Sequence, residues 1–354
     1  MKKIFKDLKV VELASVLAGP STALFFAELG ADVLKIENKK TGGDITRSWK
    51  LPEEDKTSAT SAYFHSVNFG KKHLFLDLSD KTDKKLCLEK LKKADIVIVN
   101  YKKGDDRKLG MDYATLKKLN PKLIYAQIFG FGPTDERVAF DLILQAESGF
   151  MSINGTPESG PLKMPVALID LLAAHLLKEA ILLALLSRSK TKKGAYVSVS
   201  LFDAAVSSLV NQVSNWLIAG HLPLRTGSLH PNIAPYGEIL ETKDKQLITF
   251  AIGSDKQFDR LCRLLGLSDL VKDKRFATNQ LRVQNRSVLF DLLQTNVKEF
   301  EHEKLLQKCT KEQVPCGKIR NIEEVMKLAA AKPLIRKTKD KKKVITSIPF
   351  TTSF

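Results

Sequence analysis

Short apolar runs alternate with stretches of helical spacing along the first part of the chain. KVVEL (9–13) reads as a buried strand, because its apolar positions are continuous rather than alternating. AGP at 18–20 marks a turn, and STALFFAELGA follows with helical apolar spacing. Ser21 or Thr22 suits the start of that helix and Gly30 its end. DVLKIE (32–37) is the next strand, so residues 9–37 predict a right-handed parallel crossover. The pattern recurs, with strands at 73–78, 95–101 and 122–132 and helices at 82–94 and 113–120. Alternating strands and helices predict α/β architecture, a Rossmann-like parallel sheet whose ligands sit where strands give way to loops.

The most apolar stretch, Leu168 to Leu186, approaches the length of a membrane span, but Asp170, His175, Lys178 and Glu179 lie inside it. Ionisable groups at bilayer depth cost several kcal/mol each, so a core helix over 170–187 is expected and no membrane contact. A strand (195–200) and a helix ending at Gly220 come next. Pro223, Gly227, Pro231, Pro235 and Gly237 then mark the strongest shift in composition along the chain. A smaller α+β domain follows, with QLITFAI as a strand and several short helices, and VPCGKI (314–319) reads as a return segment. The expected division is 1–205 for the first part of a large Rossmann-like domain, 206–226 for a linking helix and loop, 227–312 for the small domain, and 313–354 for a return to the large one.

Composition narrows the function. The chain has 354 residues, 44% hydrophobic and 27% charged, which suits a soluble protein of one large or two ordinary domains. Disordered, collagen-like and disulfide-stapled classes are excluded. Four cysteines (Cys87, Cys262, Cys309, Cys316) form no CxxC pair, so reduced thiols and no metal site are expected. The opening MKKIFKDLKVVELAS lacks a signal-peptide pattern, which predicts a cytoplasmic protein. With 57 Lys+Arg against 40 Asp+Glu the net charge is +17. The lysines neighbour acids, as in KDLK and EDK, and no aromatic-interleaved basic stripe appears, so nucleic acid is not the expected partner. A small anionic ligand fits the balance better. There is no P-loop and no GxSxG, and GFGPTD (130–135) fails the dinucleotide fingerprint.

One carboxylate stands out. Asp170 opens an otherwise apolar helix after a loop, NGTPESGPLKMP, rich in glycine and proline. A carboxylate there serves as an N-cap for the first helical amides or as a reacting group, and position alone leaves both open.

Ordered motifs over nearly the whole length give the chain a family likeness. They are LKVVELASVLAGP (8–20), LGADVLKIE with GGD (29–44), Asn68 leading to Lys71-Lys72, DIVIVNY with Gly104, KLGMDYATLKKLNPKLIYAQIFGFGP (108–133), the helix led by Asp170, AYVSVSLFDA, HPNIAP and DKRFATNQLRVQNR. On these the sequence resembles the family III CoA-transferases, the CaiB/BaiF group that includes formyl-CoA and carnitine CoA-transferases. The resemblance implies a Rossmann-like large domain, a smaller domain, and two chains interlocked like links in a homodimer. It implies an acyl-CoA thioester and a small carboxylic acid as substrates, with no permanently bound cofactor.

Asp170 matches the family's nucleophile, which attacks the thioester and then carries CoA as an aspartyl thioester. An ordinary aspartate, with pKa ~3.9, is ionised for that attack at neutral pH. Val16, Leu17, Ala18 and Gly19 match the family turn along CoA. Asn100 and Tyr101 stand in its NFRPG-like motif, here NYKKG. Lys71 and Lys72 stand where the family has a Lys-Arg pair, and Lys108 where it often has Arg, as contacts for the CoA phosphates. Other departures are Ala174 and His175 where the family often has Gly at the first of them, and an ending, IPFTTSF, unlike the family's LGEHT-like segment. They leave the acceptor acid undefined. The rival inside the fold, a 2-methylacyl-CoA racemase, places His before the Asp of its GHD motif, and Phe140 of AFD cannot move a proton. A non-catalytic CoA-binding protein would leave Asp170 without a role.

Overall fold

Ile96, Val97, Ile98 and Val99 are all fully buried, since the strand they form lies inside a sheet covered on both faces. The computed structural model describes residues 4–338 and 340–353. Six parallel strands make the main sheet: β1 (Lys9–Leu13), β2 (Asp32–Asn38), β3 (Lys72–Leu76), β4 (Ile96–Val99), β5 (Ile124–Phe129) and β6 (Ala195–Ser200). Their order is β3-β2-β1-β4-β5-β6, so the winding reverses between β1 and β4. Open α/β sheets bind ligands at such a reversal, beyond the carboxyl ends of the strands.

Period-two alternation sends β4 into two separate cores. Ile96 and Ile98 pack with Phe25 and Phe26 of the Ala18–Glu28 helix and with Ile169, Ala173, Leu177 and Ile181 of the central helix, Leu168–Thr191. Val97 and Val99 pack on the other face with Cys87, Leu91 and Leu116. The first helix starts at Ala18, earlier than Ser21 or Thr22, and no side chain caps it. Gly19 is required there, since a Cβ would lie 2.3 Å from that of Ala14. Among the described residues no helix is long and apolar enough to cross a membrane.

The chain divides into two compact units. One takes the described residues up to Met151, Lys163–Val213 and those from Lys332 onward; the other takes Ser152–Leu162 and Ser214–Ala331. The second unit holds an antiparallel sheet of β7 (Tyr236–Glu241), β8 (Leu247–Ala251) and β9 (Cys316–Lys318) over its own core, including Phe250, Phe258, Leu261 and Leu293. Two expectations shift. VPCGKI was expected in the return segment, but Cys316 and Gly317 pair with Phe250 and Thr249, so the return begins at Lys332. Residues 152–162 belong with the second unit, where the Gly227 amide donates to the Gly155 carbonyl over 2.7 Å. The stretch expected as a linker is helical through Val210–Ala219.

Candidate active site

The turn that leaves β1 is held from both sides of the winding reversal. Asn100, just after β4, accepts from the Ser15 amide at 3.1 Å and donates to the Ser15 carbonyl at 2.9 Å. Asp44 accepts from the next amide, that of Val16, at 3.2 Å. Val16 has φ 71°, a left-handed conformation that a β-branched residue adopts only when its surroundings impose it.

Behind Asp44 lies a buried chain of charges. Lys35 bridges Asp44 (2.9 Å) and Glu12 (2.7 Å), and Lys71 reaches the other Glu12 oxygen at 2.7 Å. Burial opposes the charge on Lys35, but Glu12 and Asp44 outweigh it and hold its pKa above the ordinary value. GGD therefore serves the turn through its aspartate, fixing the backbone of residues 15–17.

Asp170 is the third residue of the central helix. Ala167 is the N-cap, so the capping role for Asp170 is excluded. Asp141 caps instead, accepting from the Ile169 amide at 2.8 Å while Gln145 donates to its other oxygen at 2.6 Å. Asp170 is 8% exposed, and among the described residues no hydrogen bond or ion pair engages its carboxylate. Burial, reinforced by the charge of Asp141, pushes its pKa up to about 7. The ordinary ionisation expected from the sequence is thus corrected: the free carboxyl is close to half protonated at neutral pH.

Asp170 borders two clefts. One, of about 210 Å³, is lined by Val16, Leu17, Ala18, Asn100 and Tyr101 together with Lys102, Lys103 and Arg137. The other, of about 710 Å³, runs past Trp49, Tyr63, Leu171 and Lys178. Val16, Leu17 and Phe140 also line both. The structure thus brings together five of the residues singled out as CoA contacts, and Gly19 lies one position beyond Ala18. Burial, with the charges of Asp170 and Asp141, pushes the Tyr63 phenol up to about 12, so it stays a neutral hydroxyl.

The three lysines sit elsewhere. The Lys71 side chain is 0% exposed and its ammonium is spent on Glu12, the Pro20 carbonyl and Asn68, which leaves no donor for a phosphate. Burial pulls it down to about 8, with Glu12 opposing. Lys72 reaches back to Asp32, the first residue of β2, at 2.6 Å. Lys108, with its side chain 79% exposed, pairs with Asp105 and does not line the cleft. Among the described residues the lysines and arginines lining the smaller cleft are Lys102, Lys103 and Arg137, with Lys103 paired to Glu136 and Arg137 to Asp135 and Glu147. Among the described residues no cluster of His, Cys, Asp and Glu is arranged to hold a metal ion.

The family model for CoA-transferase family III matches residues 5–353. The chain belongs to that family. This family III chain is 40% identical to a succinate–glutarate CoA-transferase of Agrobacterium fabrum, covering 92% of this chain and 82% of the relative. It is 34% identical to an acetyl-CoA:oxalate CoA-transferase of Acetobacter aceti, with the same shares covered. A CaiB/BaiF family protein from Brucella suis has the same fold, with a TM-score of 0.87 and 37% identity over 100% of this chain and 93% of that one. Sequence reasoning about this family III chain passed over Asp44, Tyr63, Asp141 and Lys178, which contact the site only through the fold. The signals available were Asp44 in GGD, Lys178 as a charge inside an apolar stretch, and Asp141 in AFD, noted there for the residue before it.

Proposed function

We propose that the chain moves CoA from an acyl-CoA to a small carboxylic acid through a covalent intermediate on Asp170. The observation that carries this reading is a buried carboxylate that has no hydrogen-bond partner among the described residues and borders two clefts. A desolvated carboxylate is a stronger nucleophile than a hydrated one once ionised, and the helix start favours that ionised form locally.

Asp170 attacks the thioester carbonyl, forming a mixed anhydride and expelling CoA thiolate. The thiolate attacks the aspartyl carbonyl of the anhydride, which forms the aspartyl-CoA thioester and releases the donor acid. The acceptor carboxylate attacks that thioester, forming a second anhydride and freeing CoA thiolate again. The thiolate then attacks the acceptor carbonyl, which yields the new acyl-CoA and returns Asp170 as carboxylate. Each bond broken is matched by one formed, so no external energy or net proton is needed.

Supporting geometry comes from the first helix. Its N-cap residue, Leu17, offers no side-chain acceptor, and the Ala18 and Gly19 amides have none among the described residues. We assign these amides to the developing oxyanion, where fixed donors act without reorganising. Val16, Leu17, Ala18, Asn100 and Tyr101 hold the CoA arm in the smaller cleft, and Lys102, Lys103 and Arg137 meet its phosphates. A homodimer accords with the apolar side chains left exposed, such as Leu183 at 67% and Ile218 at 85%. Light scattering at micromolar concentration should give twice the chain mass.

The test is a transfer assay with succinyl-CoA or acetyl-CoA and a panel of carboxylic acids. New acyl-CoA should form, and Asp170→Asn should lower turnover by several orders of magnitude with circular dichroism unchanged. Undiminished transfer by that variant would contradict the proposal. So would solvent deuterium entering the carbon beside the thioester without any acceptor acid, which is racemase chemistry.

A further inference from the structure

Lys178 is a cation in the wall of the larger cleft, and nothing in the fold explains it. It lies on the central helix and is 6% exposed. Among the described residues its ammonium makes no hydrogen bond and no ion pair. Glu28, the acid whose charge bears on it, is already engaged by the Thr346 hydroxyl at 2.7 Å and by Ser347. The Phe25 ring, 5.7 Å from Nζ, offers only its face. Burial pulls the Lys178 pKa down to about 8 against the opposing charge of Glu28. A buried ammonium without an acceptor is costly, and such groups persist where a ligand completes them.

We propose that Lys178 binds the second carboxylate of a dicarboxylic acid whose first carboxylate reacts at Asp170. This rests on the reading of Asp170 given above. At 1.5 Å per residue, Lys178 lies about 12 Å along the helix axis from Asp170. Lys178 also lies about 80° around the axis from Asp170, and both side chains lean toward the helix start, the longer lysine further, so both reach the same cleft. Leu171 and Tyr63 line the same cleft and offer apolar surface to a methylene spacer.

Isothermal titration of the full chain with glutarate and with butyrate, without CoA, tests this directly. Glutarate should bind the wild type at least about tenfold more tightly than butyrate, the scale of a lost charge-assisted hydrogen bond. Lys178→Met keeps the buried volume and should erase that preference while leaving butyrate binding unchanged; Lys178→Arg should retain it. Equal binding of the two acids by the wild type, failure of either to bind, or unchanged glutarate affinity in Lys178→Met would each overturn the proposal. An equal loss for both acids would mark Lys178 as packing and overturn it too. The Asp170 reading fails separately: a preserved glutarate preference with no CoA transfer would remove the reaction and keep the diacid site.

Discussion

Replacing Asp170 by Asn should make the protein more stable as well as inactive, and the gain should depend on pH. The carboxyl has its pKa raised from 3.8 to about 7 by burial and by Asp141. A raised carboxyl is equally protonated in folded and unfolded chains below pH 3.8, so it has no effect there. As pH climbs, the unfolded chain ionises first, and folding must hold back or desolvate a charge. The penalty therefore grows between pH 3.8 and about 7 and is constant above. Three units at 1.36 kcal/mol each make the full penalty about 4 kcal/mol. About 2.5 kcal/mol of it accrues between pH 5 and 8. Asn bears no charge, and whatever its amide costs in that pocket is the same at both values. Differential scanning calorimetry of both proteins at pH 5 and pH 8 should show the midpoint gap, variant minus wild type, widening by several degrees at the higher pH. A gap that stays constant or narrows would refute the desolvated-carboxylate reasoning.

The same geometry sets four further outcomes. Lys71→Ala leaves Glu12 buried with half its partners, so it should cost about 3–5 kcal/mol, read as a lowered melting temperature. Lys102→Ala with Lys103→Ala should instead raise KM for acyl-CoA, more at low salt than at high, and leave the melting temperature alone. Asp141→Asn keeps an acceptor for the Ile169 amide but removes the like charge beside Asp170, so the acid limb of the pH–rate profile should move to lower pH. Val16→Gly relieves a left-handed valine, worth about 1–3 kcal/mol, so stability should hold or rise while KM for acyl-CoA increases as the turn loosens.

Much of the sheet was legible because its central strands are buried on both faces. A run such as IVIV has no other comfortable place, and its neighbours at helical spacing supply the cover. The helix of Asp170 was legible from its long apolar run. What escaped depends on contacts between residues far apart in the chain. Lys71 and Lys72 are adjacent, yet one is sealed against Glu12 while the other reaches solvent, and nothing local distinguishes them. Lys178 weighed in the sequence only against a membrane span, since the cleft beside it is built from residues near 50, 65 and 345. Cys316–Lys318 has an apolar pattern that fits a strand in either unit, and only its ladder with β8 decides.

The central claim is that Asp170 becomes covalently attached, and mass spectrometry of its peptide after brief incubation with acyl-CoA alone tests it most directly. The account predicts a CoA adduct on the Asp170 peptide that hydroxylamine converts to the hydroxamate, and none on Asp170→Asn. An unmodified Asp170 peptide from protein that is transferring CoA at full rate would contradict it.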